Sequence, residues 1–217
     1  MQARPFRDRR EAGRLLAEQL REYAGRDDVV VLALPRGGVP VAFEVARALG
    51  APLHVFLVRK VGVPGHEELA MGAIASGGVV VLDERLVRAL GIDEAALQRA
   101  VAAEARELER RAAAYDGNRE QPRLEGKTVI LVDDGLATGA TMHAAALAVR
   151  RQNPARIVVA APVASRETCE QLGEVADETI CVATPTPFHA VGLWYDDFSQ
   201  TTDDEVRELL AQAAGEA

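Results

Sequence analysis

The stretch Val129–Thr141, VILVDDGLATGAT, sets four apolar residues before two adjacent aspartates and then a loop of glycine, threonine and alanine. An apolar run of strand length followed by small residues reads as a buried strand ending in a turn and a helix. In an open parallel sheet, ligands collect where strands end and helices begin, so residues 133–141 occupy the position expected of a binding site. The loop's composition then selects the ligand. Gly135, Gly139, Ala137 and Ala140 let backbone N–H groups approach an anion, and the N-terminus of the following helix contributes about half a positive charge. Thr138 and Thr141 add hydroxyl donors. Asp133 and Asp134 would repel a bare phosphate, but carboxylates accept hydrogen bonds from vicinal hydroxyls. A ribose 5-phosphate moiety satisfies both halves of the loop. The plainer reading, an Asp-Gly turn that caps the next helix, employs one acid where this stretch has two.

Competing phosphate loops do not fit. No Lys follows Gly139, as a P-loop requires, and neither this stretch nor PRGGVP (35–40) carries the GxGxxG spacing of a dinucleotide site. There is no GxSxG elbow for a hydrolase nucleophile.

Outward from this stretch, strand-like and helix-like segments alternate. An amphipathic pattern spans Arg9 to Tyr23, with Ala12, Leu15, Leu16, Leu20 and Tyr23 at helical spacing. VVVLAL (29–34), the PRGGVP loop, the helical VAFEVARALG and the strand LHVFLV (53–58) form one β-loop-α-β unit. The segment at 128–141, its helix MHAAALAVRRQ and the strand RIVVAAPVA form a second, followed by RETCEQLGEVA as helix and ETICVAT as strand. The pattern predicts an α/β fold, a parallel sheet with helices on both faces. Between the units, residues 59–72 carry Gly62, Pro64 and Gly65 without a clear period and are expected to form an exposed, mobile loop. AIA and GVVVL flank Gly77 and Gly78 as a short hairpin. Two helical patterns follow, the second at 93–115 with Leu97, Val101, Leu108, Ala112 and Tyr115 on one stripe. That stripe predicts packing on the protein's own sheet, ahead of a subunit interface or an active-site cap. A polar, turn-rich connector covers 115–127.

With 217 residues, 48% hydrophobic and 27% charged, the chain suits a single globular domain. A net charge of −8 argues against a nucleic-acid-coating protein. Cys169 and Cys181 lack metal-site spacing and are expected to be reduced core thiols rather than a disulfide. His54, His66, His143 and His189 are too scattered for a local metal site. The N-terminus lacks the apolar core of a signal peptide, and no run of 18 apolar residues occurs, so a cytoplasmic protein is expected with no membrane partner.

VILVDDGLATGAT also resembles the signature of the type I phosphoribosyltransferases, which bind 5-phosphoribosyl 1-pyrophosphate, and the likeness extends over roughly residues 10 to 200. RKVGVPGHEELAMGAIA and LWYDDFSQTTDDEV resemble stretches of bacterial members whose acceptor is unassigned. The resemblance implies the type I fold over 1–217 as one domain, with a helical insertion at about 83–116 and a base-covering hood at about 184–205. It implies that Asp133 and Asp134 hold the ribose hydroxyls and that Ala137, Thr138, Gly139, Ala140 and Thr141 enclose the 5-phosphate. Arg36, Gly37 and Gly38 match the pyrophosphate-binding loop LPRGG, which in this family often contains a non-proline cis peptide. Arg59 and Lys60 match the basic pair before the family's flexible loop, here 61–72, whose closure would keep water from the reacting carbon. Arg36, Arg59 and Lys60 are thereby the implied catalytic cations, and Glu67 and Glu68 are candidates within the closed loop.

The implied reaction is transfer of the 5-phosphoribosyl group to a nitrogen acceptor, a purine or related base, with release of pyrophosphate. Mg²⁺ is implied as cofactor, with Asp134 reaching it directly or through water. Ala137 stands where many purine-using relatives carry an acid, which leaves the base open. Phe188, Trp194 and Tyr195 are candidates to stack the base, against a reading as a small hydrophobic lobe core. A regulatory protein that binds the same donor without turnover is the alternative, and a donor hydrolase ranks last. The partners implied are small molecules, with a homodimer compatible with the family.

Overall fold

Continuous Val, Ile, Leu and Ala runs form most of the central sheet because both of its faces are covered, which leaves few positions for polar side chains. The computed structural model describes residues 6–116 and 121–215, so part of the polar connector lies outside the described residues. Strands β1 (Val29–Ala33), β2 (Leu53–Val55), β6 (Thr128–Val132), β7 (Arg156–Val163) and β8 (Glu178–Ala183) lie parallel in the order β2-β1-β6-β7-β8. Every residue of β1 and β6 is buried. Alternate residues serve opposite faces. Val29, Val31 and Ala33 pack with Leu16, Leu20, Val45 and Val206, while Val30 and Leu32 pack with Met142, Ala145 and Val149. Helices α1 (Arg9–Gln19), α2 (Gly38–Leu49) and α7 (Asp203–Ala213) therefore cover one face, and α5 (Ala140–Arg150) and α6 (Arg166–Leu172) the other.

The chain winds from β1 outward to β2 and later returns to pair β6 on β1's other side, so the strand order reverses between β1 and β6. Their register pairs Val29 with Thr128 and Ala33 with Val132. Both strands end at one level, and their loops, 34–38 and 133–139, emerge side by side at this switch point.

A second sheet departs from the sequence reading. LHVFLV is not one strand: β2 stops at Val55, and the Phe56 N–H still donates to the Ala33 carbonyl at 2.8 Å before the chain leaves the sheet. Residues 59–72, expected to be a loop, form most of an antiparallel hairpin, β3 (Val58–Val63) and β4 (His66–Ala75), extended by β5 (Val79–Leu82). Gly62, Pro64 and Gly65 hide its alternation, since the register shifts twice between Val61 and Val63 and Gly65 turns the tip at φ +79°. Residues 64–70 are exposed, as expected. The turn at Gly77 and Gly78 between β4 and β5 follows expectation, both glycines having positive φ.

Helix α3 (Glu84–Ala89) and the 23-residue α4 (Glu94–Asp116) belong to this lobe. Leu97, Val101, Ala105 and Leu108 of α4 pack on Val61, Val63, Met71 and Ile74. The inserted piece thus begins at Val58 and includes a sheet as well as helices.

Two further expectations change. Helix α7 has no counterpart in the sequence reading: Thr202 caps it by accepting from the Glu205 N–H, and Val206, Leu209 and Leu210 are buried against the α1–α2 face. Cys169 on α6 and Cys181 on β8 form a disulfide rather than remaining free thiols, because the crossover lays the helix over the edge strand. Among the described residues no helix is long and apolar enough to cross a membrane.

Candidate active site

The two switch-point loops meet through glycine. Gly37 has an ordinary helical φ of −60°, so its role is spatial. A Cβ there would lie 2.0 Å from Asp134 Oδ2, and one on Gly38 would lie 2.8 Å from the Val132 carbonyl and 3.0 Å from Asp133 Cα. Only hydrogen in those positions lets the LPRGG loop rest on the aspartate pair. The peptide between Pro35 and Arg36 is cis, as the family resemblance implies for this loop.

Asp133 Oδ1 accepts the Asp134 N–H at 2.8 Å, a local bond that fixes the first carboxylate. Asp134 Oδ2 accepts from Arg9 Nε at 2.8 Å, with about an eighth of each side chain exposed. Burial and the neighbouring Asp134 charge push the Asp133 carboxyl well above the ordinary carboxylate range. Burial also raises Asp134, and Arg9 opposes that rise. The protein thus holds two acids in a place that favours their neutral form unless cations or hydroxyl donors face them.

Arg9 was not singled out by the sequence, since its partner is 125 residues away. Its guanidinium also donates to the Ser199 carbonyl at 2.7 Å and lies 4.0 Å from the Phe198 ring centroid. The C-terminal segment at Phe198 and Ser199 is therefore tied to the acids through α1.

The phosphate-loop candidates form one continuous turn. The Leu136 N–H donates to the Val163 carbonyl at 2.9 Å, and Thr168 Oγ1 donates to the Ala137 carbonyl at 2.9 Å. Gly139 has φ +67°, and a Cβ on it would lie 2.7 Å from Thr168 Cγ2. Ala137, Thr138, Ala140 and Thr141 are exposed, and the Ala140 N–H at the start of α5 donates a long bond of 3.4 Å to Thr138 Oγ1. The start of α5 is thus exposed at Ala140 and Thr141, as an anion cradle would require. His143 follows on the exposed surface of the same helix.

A cavity of about 330 Å³ opens beside this turn. Arg36, Arg59 and Thr141 line it together with Leu34, Phe56 and the C-terminal part of α4. The amphipathic α4 therefore packs on its own sheet and also walls the cavity. Arg36 lies 3.7 Å from Asp203, which accepts a hydrogen bond from Tyr115 at 2.8 Å. Arg59 Nε donates to Glu104 at 2.5 Å. Lys60 does not join them: successive strand residues alternate in direction, and Lys60 borders a separate groove with Glu67, Arg99 and Glu104.

The aromatic candidates also divide. Tyr195 is only 6% exposed, its ring stacks on Phe198 at 5.0 Å and contacts Phe6 at 5.5 Å. Its hydroxyl donates to the Asp134 carbonyl at 2.5 Å, and burial together with the Asp134 charge pushes its pKa up. Tyr195 is a brace beneath the acids, not a free stacking face. Phe188 and Trp194 remain partly exposed around the same small core. Val191 closes over Gly135, where a Cβ would lie 2.4 Å from its side chain.

Among the described residues, no group of three His, Cys, Asp or Glu side chains could hold a metal unaided. One or two carboxylates beside substrate phosphates are the donor set Mg²⁺ commonly takes, and Asp133 and Asp134 fit that demand.

A family model for the phosphoribosyl transferase domain matches residues 8–185. Proteins from two strains of Mycobacterium tuberculosis, each provisionally named a phosphoribosyl transferase, are 47% identical over 208 residues, or 96% of this chain and 47% of theirs. The chain thus spans about half the length of these curated relatives. The crystal structure of TT1426 from Thermus thermophilus is similar at a TM-score of 0.86 and 48% identity, over 96% of this chain and 98% of that one. The acid pair, the glycine-seated loop beside it and the match over most of the chain have one conclusion: this chain belongs to the phosphoribosyltransferase family, with the type I fold.

Proposed function

We propose that the protein transfers the 5-phosphoribosyl group from 5-phosphoribosyl 1-pyrophosphate to a ring nitrogen of a purine or related base, releasing pyrophosphate. The observation that carries this reading is the seating of Gly37 on Asp134, which sets a pyrophosphate-side loop against the ribose acids. Asp133 and Asp134 accept hydrogen bonds from the two ribose hydroxyls and orient the sugar. The turn from Ala137 to Thr141 binds the 5-phosphate through backbone N–H groups and the two threonine hydroxyls. Arg36 and Arg59 stabilise charge as it develops on the leaving pyrophosphate. Lys60 joins only if the β3–β4 hairpin moves, a motion that would also exclude water from the reacting carbon. Asp134 would hold Mg²⁺, directly or through water, and the bound ion would supply further neutralisation of pyrophosphate charge. Phe188 and Trp194 are the aromatic faces open to a base.

The test is Mg²⁺-dependent pyrophosphate release from the donor across a panel of purines, pyrimidines and related bases. Release with at least one base is the expected result. Donor binding without turnover on any base would replace the enzyme by a donor-binding regulator, and absence of donor binding would overturn both.

A further inference from the structure

We propose that Arg110 and Arg111 of α4, with Arg36 and Arg59, form a polyphosphate subsite that receives the pyrophosphate group. The inference rests on the phosphoribosyl reading and extends it to a helix outside the parallel-sheet core. All four arginines line the 330 Å³ cavity, against a single lining carboxylate, Asp203. In a chain with net charge −8, this concentration of guanidinium groups runs against the composition.

Adjacent residues on a helix diverge by about 100° and do not share a face. Glu107 overcomes that divergence. Its Oε2 accepts Arg110 Nε at 2.7 Å, and its Oε1 accepts Arg110 Nη2 at 2.8 Å and Arg111 Nε at 2.9 Å. Glu104 holds Arg59 through Nε in the same manner. Arg111 thus keeps both terminal nitrogens and Arg110 keeps Nη1 outside these bonds, while Arg59 keeps Nη2, its Nη1 lying 4.0 Å from Glu107 Oε1. Planar guanidinium forks match phosphate oxygens, and the floor of Leu34, Phe56 and Leu57 lowers the local dielectric.

Asp203, at the start of α7, is the built-in competitor. It sits 3.7 Å from Arg36 and, behind the stronger pull of Glu107, helps to raise the Arg110 pKa. Burial and Asp203 itself raise the Tyr115 phenol that donates to it, while Arg36 and Arg111 oppose that rise. An incoming pyrophosphate must displace this carboxylate's hold on Arg36.

Calorimetry with Mg²⁺-pyrophosphate and, separately, with ribose 5-phosphate tests the assignment. The double variant Arg110→Gln, Arg111→Gln should bind pyrophosphate about tenfold more weakly and ribose 5-phosphate within about twofold of the parent. Asp203→Asn should bind pyrophosphate about threefold more tightly, a gain that loss of a merely structural contact would not give. Parent protein that binds both probes, with a double variant that binds pyrophosphate as tightly, would overturn the α4 assignment and leave the phosphoribosyl reading standing. Parent protein that binds neither probe would remove both.

Discussion

The parallel and antiparallel sheets meet at one cavity but hold their residues differently. Every β6 residue is buried, whereas every β5 residue is only partly buried and the first half of β4 is exposed. In the parallel sheet, two glycines let backbone press on carboxylates, and the Arg9–Asp134 pair is nearly enclosed. In the antiparallel lobe, cations are held by partly exposed glutamates along α4. On the proposed reading, the corner assigned to ribose and 5-phosphate is preshaped, whereas Arg59, Arg110 and Arg111, assigned to pyrophosphate, are long side chains on a less buried support. Preshaped sites tolerate little substitution, and screened surface pairs tolerate much.

The largest expected effect separates the two kinds of glycine. Gly37→Ala forces a methyl group onto Asp134 and should weaken ribose 5-phosphate binding roughly 100-fold, near 3 kcal/mol. Gly65→Ala, at the hairpin tip with open space around it, should cost about 1 kcal/mol of stability for its φ and leave that binding unchanged. Calorimetry and thermal melting on both variants read the contrast, and equal binding losses would break it.

A second effect, on stability rather than binding, is expected from the arginines. Arg9→Gln leaves Asp134 without its cation and should destabilise the protein by about 3 kcal/mol, with Arg9→Lys recovering part of the loss. Arg59→Gln removes a pair more than a quarter exposed on each side and should shift stability by less than about 1 kcal/mol. Denaturant titration of the three variants measures this, and a cost for Arg59→Gln matching that of Arg9→Gln would remove the distinction between the sheets.

The smallest effect concerns pH. Asp133 has its folded-state pKa raised, so between its unfolded and folded pKa values the native state holds more protons than the unfolded chain. The slope of unfolding free energy against pH is then negative, and this contribution to stability declines as pH rises through the folded value. Ribose hydroxyls favour the ionised acid, so binding should release a proton and strengthen with rising pH. Calorimetry of ribose 5-phosphate in buffers of different ionisation enthalpy detects that proton, with Asp133→Asn as the control for titration of the phosphate. Equal proton release by the variant would assign the effect to the phosphate alone.

The residues that were legible from sequence are those whose surroundings lie within the same β-loop-α unit. Val129–Val132 announce a buried strand, and Asp133 to Thr141 form one turn, so pattern and site coincide. The hairpin at 58–75 was opaque because glycines and register shifts break its alternation and its tip carries polar residues. Arg9, Asp203 and the Cys169–Cys181 bond were opaque for another reason: each acquires its role from tertiary partners that no local period encodes. Tyr195 was singled out for its aromatic face, yet burial leaves its hydroxyl on the Asp134 carbonyl as its contribution. An aromatic in a loop cannot declare which of its ends will be used.

The clamp on Asp134 has a consequence for biosynthesis. Its acid lies at residue 134, its cation at residue 9, and the groups that seat that cation at Phe198 and Ser199. A ribosome that has released only the first 190 residues has supplied both switch-point loops but not the brace that orders the acids between them. The Asp134 clamp is therefore assembled after every strand of the parallel sheet has been synthesised, and premature termination near that point yields a chain with the signature but an unfinished clamp.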